Sequence, residues 1–268
     1  MSAKRTRDYQ RVIDRVTALS ARRWRTRIMG EVAGLPFFAV ESKTGPADRT
    51  VLLTGGVHGD EPAGVEAVLR WLEQPPPEAK GFRWLVLPCV NPFGWVHDRR
   101  TNSQQRDINR NFRAAGCCDE SRFVREVAAD RHFVFAMDFH EDSDAPGYYI
   151  CELRTTKPFA GERLVAAVRP ILPIWRSLRL DGRRAAAEGC VRRFPVTIAT
   201  LERRRSWPME FFLLHRHTEH TFCSETPTRF PMAQRVGAHH AALREALRFA
   251  RENRGPGVPI STSHLSPL

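Results

Sequence analysis

The 268-residue sequence contains no run of apolar residues approaching the roughly 18 needed to cross a bilayer, which weighs against a membrane-spanning helix. Its first residues, MSAKRTRDYQRVIDRV, are charged throughout and lack an apolar stretch followed by a small-residue cleavage site. They do not read as a secretory signal, and a cytoplasmic setting is the expectation. Six cysteines, Cys89, Cys117, Cys118, Cys151, Cys190 and Cys223, form no CxxC pair, so neither a zinc knuckle nor a disulfide framework is suggested. There is no internal repeat, no nucleic-acid motif with interleaved aromatics, and no tyrosine after Tyr149.

What is present suits a soluble globular protein. Hydrophobic residues make up 42% and charged residues 27%, too apolar a mixture for a disordered chain. The length fits one α/β domain, expected over residues 1–255 with a loose tail over 256–268. The net charge of +12 rests on arginine, in runs such as Arg183-Arg184, Arg192-Arg193 and Arg203-Arg204-Arg205. Without an accompanying motif this reads as a solvated basic face rather than a nucleic-acid site.

Periodicity predicts a helix over residues 7–20 and a first strand over 35–40. Apolar runs over 49–57, 82–90 and 132–139 read as strands buried on both faces, separated by helices over 61–72 and 120–129. Further strands are expected over 148–153 and 221–224, with helices over 158–168 and 232–253. The alternation predicts an α/β fold with a mixed, mostly parallel sheet flanked by helices.

In such a sheet ligands bind at the carboxyl ends of strands, and two expected strands end in histidine, Val57 into His58 and Phe139 into His140. Glu61 follows His58 by three, which brings both side chains to one side of the turn that opens a helix. Two imidazoles and a carboxylate form a metal set with a fourth position open for water, as catalytic rather than structural zinc sites have. Asp60, Glu61, Asp138, Glu141 and Asp142 crowd acid around both histidines, and Asp138 is placed to receive the second ring proton of a ligating histidine.

The segment Gly55-Gly56-Val57-His58-Gly59-Asp60-Glu61 resembles the HxxE zinc motif of the M14 metallocarboxypeptidases and their succinylglutamate desuccinylase, aspartoacylase and murein peptide amidase relatives. Asp107-Ile108-Asn109-Arg110-Asn111-Phe112 resembles the family's DxNRNF segment, and Met137-Asp138-Phe139-His140-Glu141 the strand with its third ligand. The resemblance covers roughly residues 50–230 and implies one zinc per chain on His58, Glu61 and His140. The same ligand types also suit iron in some oxygenases, so zinc follows from the resemblance.

The resemblance further implies that Asn109 and Arg110 bind a substrate carboxylate, which the paired donors of a guanidinium suit independently. It implies a carbonyl-polarising arginine in Asp98-Arg99-Arg100-Thr101-Asn102, assigned to Arg100 with Arg99 as the alternative. Thr221-Phe222-Cys223-Ser224-Glu225-Thr226-Pro227 resembles the strand bearing the family's catalytic glutamate, which makes Glu225 the general base. The family's mobile tyrosine has no counterpart after Tyr149, and His215, His217 and His220 are candidates to replace it or to bind a second metal.

The expected activity is hydrolysis of an amide bond next to a free carboxylate, at the C-terminal residue of a short peptide or in an isopeptide of a cell-wall fragment. Two alternatives stay open: an N-acyl amino acid deacylase, and a zinc-containing binding protein without catalysis. No membrane partner is expected.

Overall fold

The computed structural model describes residues 6–113, 116–177, 179–180, 183–193 and 196–253. The tail expected after residue 255 lies outside the described residues. The chain opens with helix α1 (Gln10–Thr17), whose Val12 and Val16 are buried, and continues into a hairpin of β1 (Trp24–Val32) and β2 (Leu35–Ser42). Ala33 and Gly34 both have positive φ, the backbone of a two-residue hairpin turn. Then come β3 (Thr50–Gly55), α2 (Pro62–Glu73), β4 (Arg83–Leu87), α3 (Pro92–His97), α4 (Asp119–Ala128), β5 (Phe135–Asp142), β6 (Tyr149–Arg154) and α5 (Gly161–Val168). Two short strands, β7 (Arg179–Leu180) and β8 (Arg183–Arg184), pair apart from the main sheet. The chain closes with β9 (Cys190–Arg193), α6 (Ile198–Glu202), α7 (Met209–Arg216), β10 (His220–Pro227) and α8 (Met232–Glu252).

The main sheet has eight strands in the order β1-β2-β4-β3-β5-β10-β6-β9. Its centre, β4-β3-β5-β10, is parallel, while β1, β2 and β6 join antiparallel. This is the mixed sheet that the strand–helix alternation predicts, and it is helix-covered on both faces. One apolar layer packs α1, α2, α5 and α8 against Val51, Leu53, Met137, Phe139 and Phe222. The other packs α4 and α7 against Leu52, Leu85 and Ala136. Leu52 and Leu53 fall in opposite layers because successive strand residues point to opposite faces.

The predicted elements are present with their ends shifted by a few residues, and two differences bear on the site. β3 stops at Gly55, so His58 lies in the loop beyond it rather than at the strand end. β5 runs two residues past His140, because its parallel pairing with β10 continues through Thr226↔Glu141 and Pro227↔Asp142. The hairpin strand β1 is an addition to the predicted set. No helix among the described residues is long and apolar enough to cross a membrane.

Candidate metal centre and cleft

Strand order reverses direction at β3, with β4 on one side and β5 on the other. Crevices form at such switch points, beyond the carboxyl ends of the strands. The loop from Gly56 to Glu61 lies there. Gly56 has φ +66°, and a Cβ at Gly59 would come within 1.9 Å of the Gly94 backbone, so both glycines are required by the path that brings His58 back over the sheet. α2 then begins at Pro62, with no side-chain cap from Glu61. A carboxylate from β5 takes that role: Glu141 accepts from the Ala63 amide at 2.6 Å. Glu61 in return accepts from the Glu141 amide at 3.0 Å, so loop and strand are tied together at the level of His140.

His58, Glu61 and His140 converge in this crevice, all buried. Glu61 Oε1 lies 2.7 Å from His58 Nδ1, Glu61 Oε2 lies 2.8 Å from His140 Nδ1, and the two Nδ1 atoms are 3.1 Å apart. The far side of each ring meets a carboxylate. His140 Nε2 is 2.6 Å from Asp138 Oδ2, and Asp138 is held from behind by the Thr54 hydroxyl at 2.7 Å. His58 Nε2 is 3.2 Å from Asp107 Oδ1.

These contacts test whether the residues fit a metal. Carboxylates accept hydrogen bonds, so each Nε2 carries a proton, and each Nδ1 of a neutral ring then presents a lone pair. Two lone pairs and a carboxylate facing one another within hydrogen-bonding distance repel unless positive charge sits among them. Burial disfavours charge on both rings, yet Glu61 with Asp107 raises the pKa of His58, and Asp138 with Glu61 raises that of His140 well above its usual value. Burial likewise opposes ionisation of Glu61, but His140 and His58 outweigh it and hold the carboxyl far below the ordinary range. A divalent cation answers the same demand, and the donor set with its carboxylate-backed imidazoles fits zinc.

The cleft above these residues has a volume of about 550 Å³ and includes Arg100, Asn109, Arg110, Tyr149, Glu210 and Glu225 in its walls. Arg100 lies next to the cluster: its Nε is 3.1 Å from Asp107 Oδ2 and its Nη1 is 3.6 Å from Glu61 Oε1. Arg99 does not line the cleft. Asn109 is buried, and its Oδ1 accepts from the Met209 amide at 2.8 Å. Arg110 is exposed beside it, with Nη1 on the Asn109 carbonyl at 2.8 Å. Glu225 projects from β10 opposite His140, which is its Cα partner in the parallel ladder. Burial first, and then the Glu61 charge against the opposing pull of His140, pushes its carboxyl up to about 7.

His215, His217 and His220 are not brought to the cleft. His217 Nδ1 contacts the Arg131 carbonyl, and His220 Nε2 contacts Glu152 Oε1 at 2.8 Å. His220 is the first residue of β10, and Glu225 stands five residues further along the strand, at its other end. Two residues of the site, Asp107 beside His58 and Glu210 in the cleft wall, are not singled out by the sequence. Asp107 opens the DINRNF segment but was not assigned as the partner of His58. Glu210, in α7, is 5% exposed, and its Oε1 has no hydrogen-bond partner. Burial, then the nearby Asp138, raises its pKa. The tyrosine that lines the cleft is Tyr149, the neighbour of Glu225 across the β6–β10 ladder, and its hydroxyl donates to Asp142 at 2.9 Å.

Comparison with known proteins places this geometry in context. The family model for the succinylglutamate desuccinylase/aspartoacylase catalytic domain matches residues 47–175, which include all three convergent residues and end before Glu225. Carboxypeptidase SOL1 of Arabidopsis thaliana is 30% identical over 95 residues, covering 30% of this chain but only 19% of that protein. A candidate metallopeptidase from Shewanella amazonensis superposes with a TM-score of 0.74 at 24% identity, over 90% of this chain and 91% of that one. Carboxypeptidase A from Helicoverpa armigera gives 0.67 at 14% identity over 92% and 74% of the two chains. Murein-tripeptide amidase from Escherichia coli O157 gives 0.59 at 18% over 92% and 98%. At these identities the solved structures speak for the fold. Fold, matched domain and motif order all fit the M14 metallocarboxypeptidase family.

Proposed function

We propose that this chain is a zinc-dependent hydrolase, in one catalytic domain, that cleaves an amide bond next to a free carboxylate. The observation that carries the reading is the convergence of three buried acceptors, short of a cation, on the floor of a cleft whose walls bear Arg110 and Glu225. Zinc held by His58, Glu61 and His140 supplies a Lewis acid that lowers the pKa of water and polarises a carbonyl oxygen.

The chain's own residues do the rest. Arg110 takes the substrate carboxylate through two parallel hydrogen bonds. Asn109, its oxygen already held by the Met209 amide, offers its amide nitrogen as a further donor. Arg100, oriented by Asp107, lies where it meets the scissile carbonyl oxygen as negative charge develops there. Glu225 accepts a proton from the attacking water and returns it to the leaving nitrogen, a role suited to a carboxyl that burial pushes above the ordinary range. Glu210 lines the same cleft, and a leaving residue with an ammonium or guanidinium side chain would pair with its carboxylate.

The test is elemental analysis of the purified chain together with hydrolysis of C-terminal dipeptides and N-acyl amino acids. One zinc per chain with turnover is the expected result. A chain that stays metal-free when zinc is supplied ends the reading. The match to the succinylglutamate desuccinylase/aspartoacylase domain favours a second reading, N-acyl amino acid deacylation on the same ligands. Higher kcat/KM on N-acyl amino acids than on dipeptides of the same leaving residue selects it. Zinc binding without turnover of either class selects a binding protein.

A further inference from the structure

His239 lies in α8, fully buried within the apolar layer between that helix and the sheet. Both of its ring nitrogens are used: Nδ1 is 3.0 Å from Ser224 Oγ and Nε2 is 3.2 Å from Thr226 Oγ1. Its ring stacks on Phe139, with centroids 4.4 Å apart and planes inclined by 25°. Ser224 and Thr226 flank Glu225, and Phe139 precedes His140. The network extends at both ends. The Tyr148 hydroxyl is 3.0 Å from Ser224 Oγ, and Thr226 Oγ1 makes a long 3.5 Å contact as donor to the His140 carbonyl.

One arrangement of protons satisfies every member. With the Thr226 hydroxyl donating to the His140 carbonyl, Thr226 accepts from His239 Nε2–H. His239 Nδ1 then accepts from the Ser224 hydroxyl, whose oxygen accepts from Tyr148. The donors run in one direction from Tyr148 to the backbone of His140, through a neutral ring protonated on Nε2.

Leucine at this position would pack the layer with no polar group to desolvate, whereas a buried polar network is tolerated only when fully paired. What this network adds is register. Side chains alternate along a strand, so fixing residues 224 and 226 on one face fixes residue 225 on the other. The β6 ladder ends at Glu225↔Tyr149, so beyond it the end of β10 is paired on one side only, with β5.

We propose that His239 is a positioning residue: from the far face of the sheet it pins the segment of β10 that presents Glu225 beside His140. It acts through Ser224 and Thr226 and touches no substrate; the proposal rests on Glu225 being the base. His239→Phe keeps the aromatic stack and loses both ring bonds, His239→Gln restores a donor and an acceptor, and Thr226→Val removes one hydroxyl at nearly constant shape.

The measurement is kcat and KM of the zinc-loaded full chain, with zinc content and 15N-detected imidazole tautomers. Expected for His239→Phe are retained zinc, KM within about twofold and kcat lowered about 10- to 100-fold, with part of kcat recovered in His239→Gln. Thr226→Val lowers kcat in the same direction and decides the matter if His239→Phe does not fold. The wild type shows a neutral Nε2–H tautomer that disappears in His239→Phe. Unchanged kcat with only a lower melting temperature, or an Nδ1–H tautomer, overturns the proposal. If the wild type binds zinc and hydrolyses nothing, the hydrolase reading falls, and the tautomer still decides the network.

Discussion

Two buried histidine–carboxylate clusters lie in the same sheet and differ in how their carboxylates are satisfied. Glu152, fully buried in β6, accepts from the Ala160 and Gly161 amides at 2.7 and 3.0 Å, faces His220 at 2.8 Å, and pairs with Arg192 at 3.1 Å. Donors and a guanidinium saturate it. Glu61 has one amide donor and a distant Arg100 Nη1 at 3.6 Å, and its nearest other neighbours are the Nδ1 atoms of two rings whose far nitrogens are committed to Asp107 and Asp138. The first cluster is complete as it stands; the second lacks positive charge at its centre. Counting donors against acceptors therefore separates a structural ion pair from a candidate metal centre, where residue types alone do not.

The largest expected contrast follows from that difference. His140→Ala removes one ligand and leaves Asp138 facing a void, so zinc binding and hydrolysis are both expected to be lost, the latter by about 1,000-fold or more. His58→Ala behaves alike. Removing His220 from the saturated cluster leaves zinc content unaltered. Elemental analysis of the three variants side by side checks the contrast, and zinc loss on removal of His220 would collapse it.

Glu225→Gln sharpens the comparison within the metal-side group, since it removes proton transfer while the ligands remain. Zinc is expected to stay bound while kcat falls about 100- to 10,000-fold. Burial and the Glu61 charge hold the carboxyl at about 7, and only its ionised form accepts a proton. In the metal-free protein its carboxyl signal is expected to titrate near that value. Bound zinc adds positive charge and moves the midpoint down, so the acid limb of kcat/KM in the loaded enzyme lies below 7. Carboxyl 13C shifts with and without zinc read both.

How far these clusters could be read in the sequence depended on where their partners lie. His58, Glu61 and His140 were legible because short motifs carry them, and the buried strands were legible because continuous apolar runs encode them. β1 was not: most of its residues are exposed, as befits the sheet edge it occupies, and its sequence lacks a clear alternation. His220 was read as a candidate ligand because histidine spacing says nothing about Glu152, which lies 68 residues away. Glu210 was invisible for a related reason. It enters the cleft because the Asn109 side chain holds the Met209 amide, across 100 residues of sequence, at the first turn of α7.

Glu210 gives a smaller effect, in selectivity. Its orphaned Oε1 resembles the acceptors of the Glu61 cluster in lacking a donor, and Glu210 lines the same cleft as Arg110. Substrates ending in lysine are expected to exceed those ending in the uncharged isostere norleucine by about 10- to 100-fold in kcat/KM. Glu210→Gln is expected to compress that ratio toward unity. An equal ratio in the wild type would mean that the carboxyl is satisfied by something other than substrate charge.

The smallest effect belongs to the saturated cluster, and it is one of stability. His220→Leu leaves Glu152 with three partners in place of four, which costs about 1–3 kcal/mol in denaturant unfolding. Burial, against the opposing pull of Glu152, holds His220 below its ordinary pKa of 6.5, so the folded protein favours the neutral ring. Burial would raise Glu152, but His220 and the Ala160 and Gly161 amides hold it low. Both groups bind fewer protons folded than unfolded, so their contribution is full above about pH 6.5 and is lost as pH falls, His220 first. The penalty of His220→Leu is therefore expected to be largest near neutral pH and to shrink toward about pH 5. A penalty that grows on acidification would mean that the ring is charged in the folded state, and that the cluster is held by an ion pair rather than by a neutral hydrogen bond.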